Sequence, residues 1–98
     1  MNILILGGHG FIGHHLSKIF NNYGHSVSVV DCHHRYGEYQ DWEFDPILKQ
    51  RLDYMGDHQF FAGDVCDADF MDQVFATSRP DVVVDLATYP NAKMVKKN

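Results

Sequence analysis

The stretch Gly7-Gly8-His9-Gly10-Phe11-Ile12-Gly13 constrains this chain more than any other. Before it, Asn2-Ile3-Leu4-Ile5-Leu6 is a short apolar run of the kind that fits a strand buried on both faces. After it, Phe11, Ile12, Leu16, Ile19, Phe20 and Tyr23 recur at helical spacing, with Ser17, Lys18, Asn21 and Asn22 on the other face. That pattern predicts a helix buried through the first set and wet on the second. Gly24 ends the helix, and Ser26-Val27-Ser28-Val29-Val30-Asp31 reads as a second strand closing on an acid. The order is therefore strand, glycine loop, helix, strand, acid.

Each position in that order has a chemical reason. Glycines adopt positive φ and, lacking Cβ, let a pyrophosphate approach the backbone. The free N–H groups that open the helix, with the positive end of its dipole, suit phosphate oxygens. Asp31, at the carboxyl end of the second strand, is placed to accept from both hydroxyls of an adenosine ribose. A glycine pattern alone is weak, but here four independent requirements agree, and the reading is a dinucleotide site. Two registers fit: Gly8, Gly10 and Gly13 as G-x-G-x-x-G, or Gly7, Gly10 and Gly13 as G-x-x-G-x-x-G.

The second register, with Phe11-Ile12 ahead of Gly13, resembles the extended short-chain dehydrogenase/reductase family, the NAD-dependent nucleotide-sugar epimerases and dehydratases. Leu6 stands where that family usually has Thr. The resemblance implies that Gly7, Gly10, Phe11, Ile12, Gly13 and Asp31 bind the cofactor.

The remaining chain continues the alternation. Cys32 to Glu43 is polar and aromatic without a steady period, and reads as a loop. Asp45-Pro46 reads as a helix start, with Asp as N-cap and Pro at the first helical position. Ile47, Leu48, Leu52 and Met55 are the expected apolar contacts of that helix. Gly56-Asp57 is a turn, and His58-Gln59-Phe60-Phe61-Ala62 a third strand. Asp67 is the expected N-cap of another helix, with Phe70, Met71, Val74 and Phe75 as its buried stripe, broken at Ser78-Arg79-Pro80. Asp81 to Ala87 is then a β-branched fourth strand. Strands alternating with helices imply parallel pairing through right-handed crossovers. The predicted fold is thus α/β, a Rossmann-like half-domain with a parallel sheet of about four strands in the order 3-2-1-4.

Two later segments extend the resemblance over nearly the whole chain. Gly63-Asp64-Val65-Cys66-Asp67 is similar to the family's Gly-Asp-(Leu/Ile/Val)-x-Asp, which implies that Asp64 accepts from the adenine amino group and Val65 contributes its backbone. Arg79-Pro80-Asp81-Val82-Val83-Val84-Asp85-Leu86-Ala87 looks like the family's Pro-Asp-Val-Val-(Ile/Val)-His-Leu-Ala-Ala, which implies that Leu86, Ala87 and Thr88 pack beside the ribose and nicotinamide side. Asp85 replaces the family's His. Family members run about three times this length, with a catalytic Tyr-x-x-x-Lys helix after a fifth strand and then a substrate domain. A literal Tyr-x-x-x-Lys at Tyr89 and Lys93 follows strand four instead, and Pro90 suits a helix start better than an interior. No catalytic residue is assigned.

Composition narrows the alternatives. A chain of 98 residues is one small domain at most, read as a single truncated dinucleotide-binding domain over 1–98. Its 45% apolar content excludes a disordered chain, and a formal charge of −5 with no basic patch argues against a nucleic-acid partner. Lys93, Lys96 and Lys97 read as a solvated end. No run spans a membrane, no signal peptide opens the chain, and Cys32 and Cys66 lack paired spacing, so a cytoplasmic location with reduced thiols is expected. The seven His read as surface or loop residues rather than metal ligands, since His14-His15 and His33-His34 are neighbours. His9 reads as a variable loop residue, with phosphate contact as the alternative.

Asp31 repels a 2′-phosphate, so NAD is expected over NADP even with Arg35 four residues on. The expected function is an NAD-binding module inactive alone. The alternatives are a non-catalytic interaction protein that keeps the fold, or one half of a split enzyme completed by a second chain. The Val82-Val83-Val84 run at a sheet edge, without Pro or Lys, predicts a homodimer through strand 81–87.

Overall fold

A computed structural model describes residues 1–32 and 41–87, with the side chains of 41–45 left aside. Expectations that fall on Arg35, His33, His34, Thr88, Tyr89 and Lys93 lie outside the described residues, as does most of the predicted 32–43 loop.

The apolar run β1 (Asn2–Leu6) sits at the centre of a four-stranded parallel sheet, between β2 (Ser26–Asp31) and β4 (Val82–Asp85), with β3 (Gln59–Ala62) beyond β2. The order is β3-β2-β1-β4, as the pattern predicted. Alternation along β1 sorts its side chains to two faces. Ile3 and Ile5 join Val27, Val29 and Met55 under Leu16, Phe20 and Leu52, on the side of α1 (Phe11–Asn22) and α2 (Asp41–Met55). Leu4 and Leu6 join Val30 and Val74 under Phe70 and Met71 of α3 (Ala68–Ser78). The faces follow from handedness. The chain moves outward from β1 to β3 with its helices on one face, then reverses to reach β4, so a right-handed crossover puts α3 on the other.

The ends of α3 are those the sequence indicated. Asp67 accepts from the Phe70 N–H (3.1 Å), and Arg79 closes the helix in the left-handed conformation at φ 46°. Elsewhere the structure corrects the reading. Phe11, Ile12 and Tyr23 are 61%, 63% and 79% exposed, and Ile19 is also on the surface. The buried stripe of α1 is Gly13 and Ser17, flanked by Leu16 and Phe20. The helix lies so close to the loop that only small residues fit the contact line. Ser17, counted as polar, is satisfied internally by donating to the Gly13 carbonyl (3.0 Å).

Helix α2 begins at Asp41 rather than at Asp45-Pro46, and Pro46 lies inside it. Proline's fixed φ is helical, so the loss is chiefly one backbone hydrogen bond near the helix start. The packing of α2 comes from Leu52 and Met55, beyond that point, whereas Ile47 is exposed. His58 falls just before β3, and β4 ends at Asp85, two residues short of the prediction. Among the described residues, no helix is long and apolar enough to cross a membrane.

Candidate dinucleotide-binding site

Register brings the loops to one end of the sheet. Leu6 is level with Val30 and Asp85, and Asp31 with Ala62, so Gly7, Asp31, Gly63 and Leu86 all start from the carboxyl edge. In a doubly wound sheet the crevice opens there, where the strand order reverses between β1 and β4.

The loop after β1 is held by its own backbone. The Gly7 N–H donates to Val30 O (2.7 Å) and the Gly10 N–H to Gly7 O (3.1 Å). Gly7 has φ +81°, and a Cβ there would lie 3.1 Å from the Leu86 carbonyl carbon and 3.2 Å from the Ala87 nitrogen. At Gly13 a Cβ would stand 2.6 Å from Gly7 O, so glycine is what lets α1 dock on the loop. A Cβ at Gly8 would strike Val29 at 2.6 Å, whereas at Gly10 only Gly7 O, at 3.2 Å, is near. The second register, Gly7-Gly10-Gly13, therefore describes the turn and helix entry, and Gly8 serves packing on β2.

The first bond of α1 is His14 N–H to Gly10 O (3.1 Å). The amides of Phe11, Ile12 and Gly13 precede that ladder, and no side chain caps the helix or places an acid in its first turn. Three main-chain donors and the positive helix end thus face the carboxyl edge, a cradle for an anion.

Around this cradle stand the acids. Asp31 Oδ2 accepts from the His9 N–H (3.0 Å), which fixes its carboxylate against the loop. Gly63 N–H donates to Asp31 O (3.2 Å), tying the β3 loop to β2. Asp64 Oδ1 accepts from the Cys66 N–H (2.9 Å). That carboxylate also pushes the exposed Cys66 thiol above its ordinary value, by its charge first, then by a hydrogen bond to the thiol and by burial. Val65 packs on the α3 side, and Ala87 does the same, while Leu86 packs on the α1 side. Asp85 accepts from the Ala87 N–H (3.1 Å) and so shapes the turn after β4.

The His9 ring is buried, not at the surface. It is 3% exposed, with Nε2 2.9 Å from His58 Nε2 and its ring centroid 4.5 Å from that of Phe60. Arg51 Nη1 donates to the His9 carbonyl (3.1 Å). Sequence reasoning missed His58 and Arg51, because nothing local ties residues 42 and 49 positions away to the loop. On the outer side of α1, Phe11, His14, His15 and Tyr54 form a ring cluster, with the His14 imidazole hydrogen-bonded to Gly10 O (2.9 Å).

A family model described as the NAD dependent epimerase/dehydratase family matches residues 3–97. The chain belongs to that family. Protein CapI of Staphylococcus aureus is 33% identical over 100 residues, which take in all of this chain and 28% of that protein. A UDP-glucose 4-epimerase of Thermotoga maritima, solved with UDP-glucose, superposes with TM-score 0.73 at 27% identity. It is covered over 28% of its length by the whole of this chain. A UDP-glucose 4-epimerase of Bifidobacterium longum, solved with NAD⁺ and UDP, gives TM-score 0.71 at 27% identity, with 98% of this chain and 28% of that one aligned. The chain therefore spans about 28% of the length of these relatives. Within the epimerase/dehydratase family it corresponds to the N-terminal part.

Proposed function

We propose that this chain is the dinucleotide-binding portion of an epimerase/dehydratase-type protein, that it takes NAD in preference to NADP, and that it forms one domain without turnover of its own. The observation that carries the reading is the convergence of three uncapped amides of α1, the glycine loop and Asp31 at one edge of the sheet. In this reading Gly7, Gly10 and Gly13 allow the pyrophosphate onto the backbone, and the amides of Phe11 and Ile12 hold it. Asp31 takes the adenosine ribose, Asp64 and Val65 the adenine, and Leu86, Ala87 and Thr88 the nicotinamide side. The B. longum relative was solved with NAD⁺, which supports the choice of cofactor. Bound NAD supplies hydride transfer; this chain's residues bind and orient it. Calorimetric titration of the chain with NAD and NADP tests the reading: binding of NAD several-fold tighter than NADP is expected, and absence of NAD binding defeats it.

The edge strand favours a partner. Val82 and Val83 are exposed on β4, which has β1 on one side and no further strand among the described residues on the other. Exposed apolar side chains beside unpaired backbone groups are a template for strand addition. Two copies pairing these edges about a two-fold axis make an eight-stranded sheet; a segment of a second, different chain is the other occupant. Light scattering at micromolar concentration tests this: a homodimer lost in Val83→Pro is expected, a clean monomer defeats the homodimer, and a dimer unaffected by Val83→Pro defeats this edge as its interface.

A further inference from the structure

Beyond the Gly7 N–H bond to Val30 O, His9 ties the glycine loop to the rest of the fold from three directions. Its N–H reaches Asp31 of β2, its carbonyl takes Arg51 of α2, and its buried ring meets His58 ahead of β3. His58 is oriented in turn by the Gly56 turn, since its Nδ1 lies 2.8 Å from Gly56 O. A carbonyl only accepts, so Nδ1 carries the proton and a neutral His58 ring offers a lone pair at Nε2. His9 is then the donor across the 2.9 Å contact. Phe60 lies against the His9 ring, with ring centroids 4.5 Å apart and planes tilted by 33°.

We propose that His58 is a positioning residue for dinucleotide binding: it holds the His9 ring, and through His9 the glycine loop and the Asp31 carboxylate. It acts without touching the ligand. His58 lies four residues before Ala62, the residue of β3 level with Asp31, which places it about 13 Å back from the carboxyl edge. The inference rests on the dinucleotide reading above. Its physical basis is that a site group is held to geometry only when its support is itself fixed by hydrogen bonds. A loop freed at His9 loses the amide that aims Asp31, and with it the discrimination between ribose hydroxyl and 2′-phosphate.

The test compares wild type with His58→Phe, which keeps a ring but removes the lone pair, and His58→Gln, which restores an acceptor. NAD and NADP affinities are measured by calorimetry well below the melting temperature of each protein. His58→Phe is expected to weaken NAD about tenfold and to narrow the preference for NAD over NADP. His58→Gln is expected to recover most of both. In the ligand-free wild type, ¹⁵N-resolved NMR should show a slowly exchanging proton on His9 Nε2, a reading that needs no variant to fold. Absence of that proton overturns the proposal, as does equal loss for NAD and NADP in His58→Phe, the mark of a merely structural role. A chain that binds NAD with affinity indifferent to His58 overturns this proposal alone. One that binds no NAD overturns the dinucleotide reading as well.

Discussion

The centre and the edges of this sheet are made of the same residue types and behave differently. Leu4 and Val29 are fully buried, while Val83, one strand over and level with Leu4, is 42% exposed. Phe60 on the opposite edge strand is likewise exposed. β-Branched and aromatic residues therefore report strand formation, but not whether a strand has neighbours on both sides. In the centre such residues stabilise the fold; at the β4 edge they are surface that another segment is suited to cover.

The sharpest way to break this contrast is substitution at paired positions. Leu4→Ala should cost about 2–5 kcal/mol in denaturant unfolding, through lost transfer energy and the cavity left behind. Val83→Ala at the neighbouring position should cost under about 1 kcal/mol in a monomer. Equal losses would mean that the β4 edge is already covered. A smaller effect, on binding and not on the fold, is expected at the carboxyl edge. Asp31→Ala should weaken NAD by about 1–3 kcal/mol in calorimetry, with NADP hurt less, since the charged acceptor and the repulsion vanish together. If NADP loses as much as NAD, Asp31 does not face the ribose. The smallest effect belongs to the exposed Cys66. The Asp64 carboxylate holds its thiol protonated toward higher pH, so Asp64→Asn should speed its alkylation about two- to fivefold at pH 8, followed by mass spectrometry. An unchanged rate would detach Cys66 from that carboxylate.

Most of the fold was legible because its signals are local. The apolar run of β1, the glycine turn, the Asp67 cap and the alternation of strand and helix each lie within a few residues, and handedness supplies the 3-2-1-4 order from them. The buried face of α1 was misread because residue type was taken for position. Gly13 and Ser17 are buried for being small, at a distance set by Gly7, and hydrophobicity carries no record of that. Pro46 marked a helix start by habit of sequence, whereas the helix draws its support from Leu52 and Met55. The cluster of His9, Arg51 and His58 left no trace in spacing, since only the folded sheet and α2 bring these residues together.

The Asn2–Asp81 junction carries a consequence for how the chain is made. The Asn2 N–H donates to Asp81 Oδ2 (2.8 Å), and the Asp81 N–H returns to Asn2 O (2.7 Å), across 79 positions. Of the four strands of this sheet, β1 is thus made before the others and is the last to be flanked on both sides. At about 5–20 residues per second, β1 waits on the order of ten seconds for β4. Through that interval the side of Ile3-Leu4-Ile5-Leu6 that β4 will cover lacks its partner strand, an apolar edge of the kind that templates strand addition.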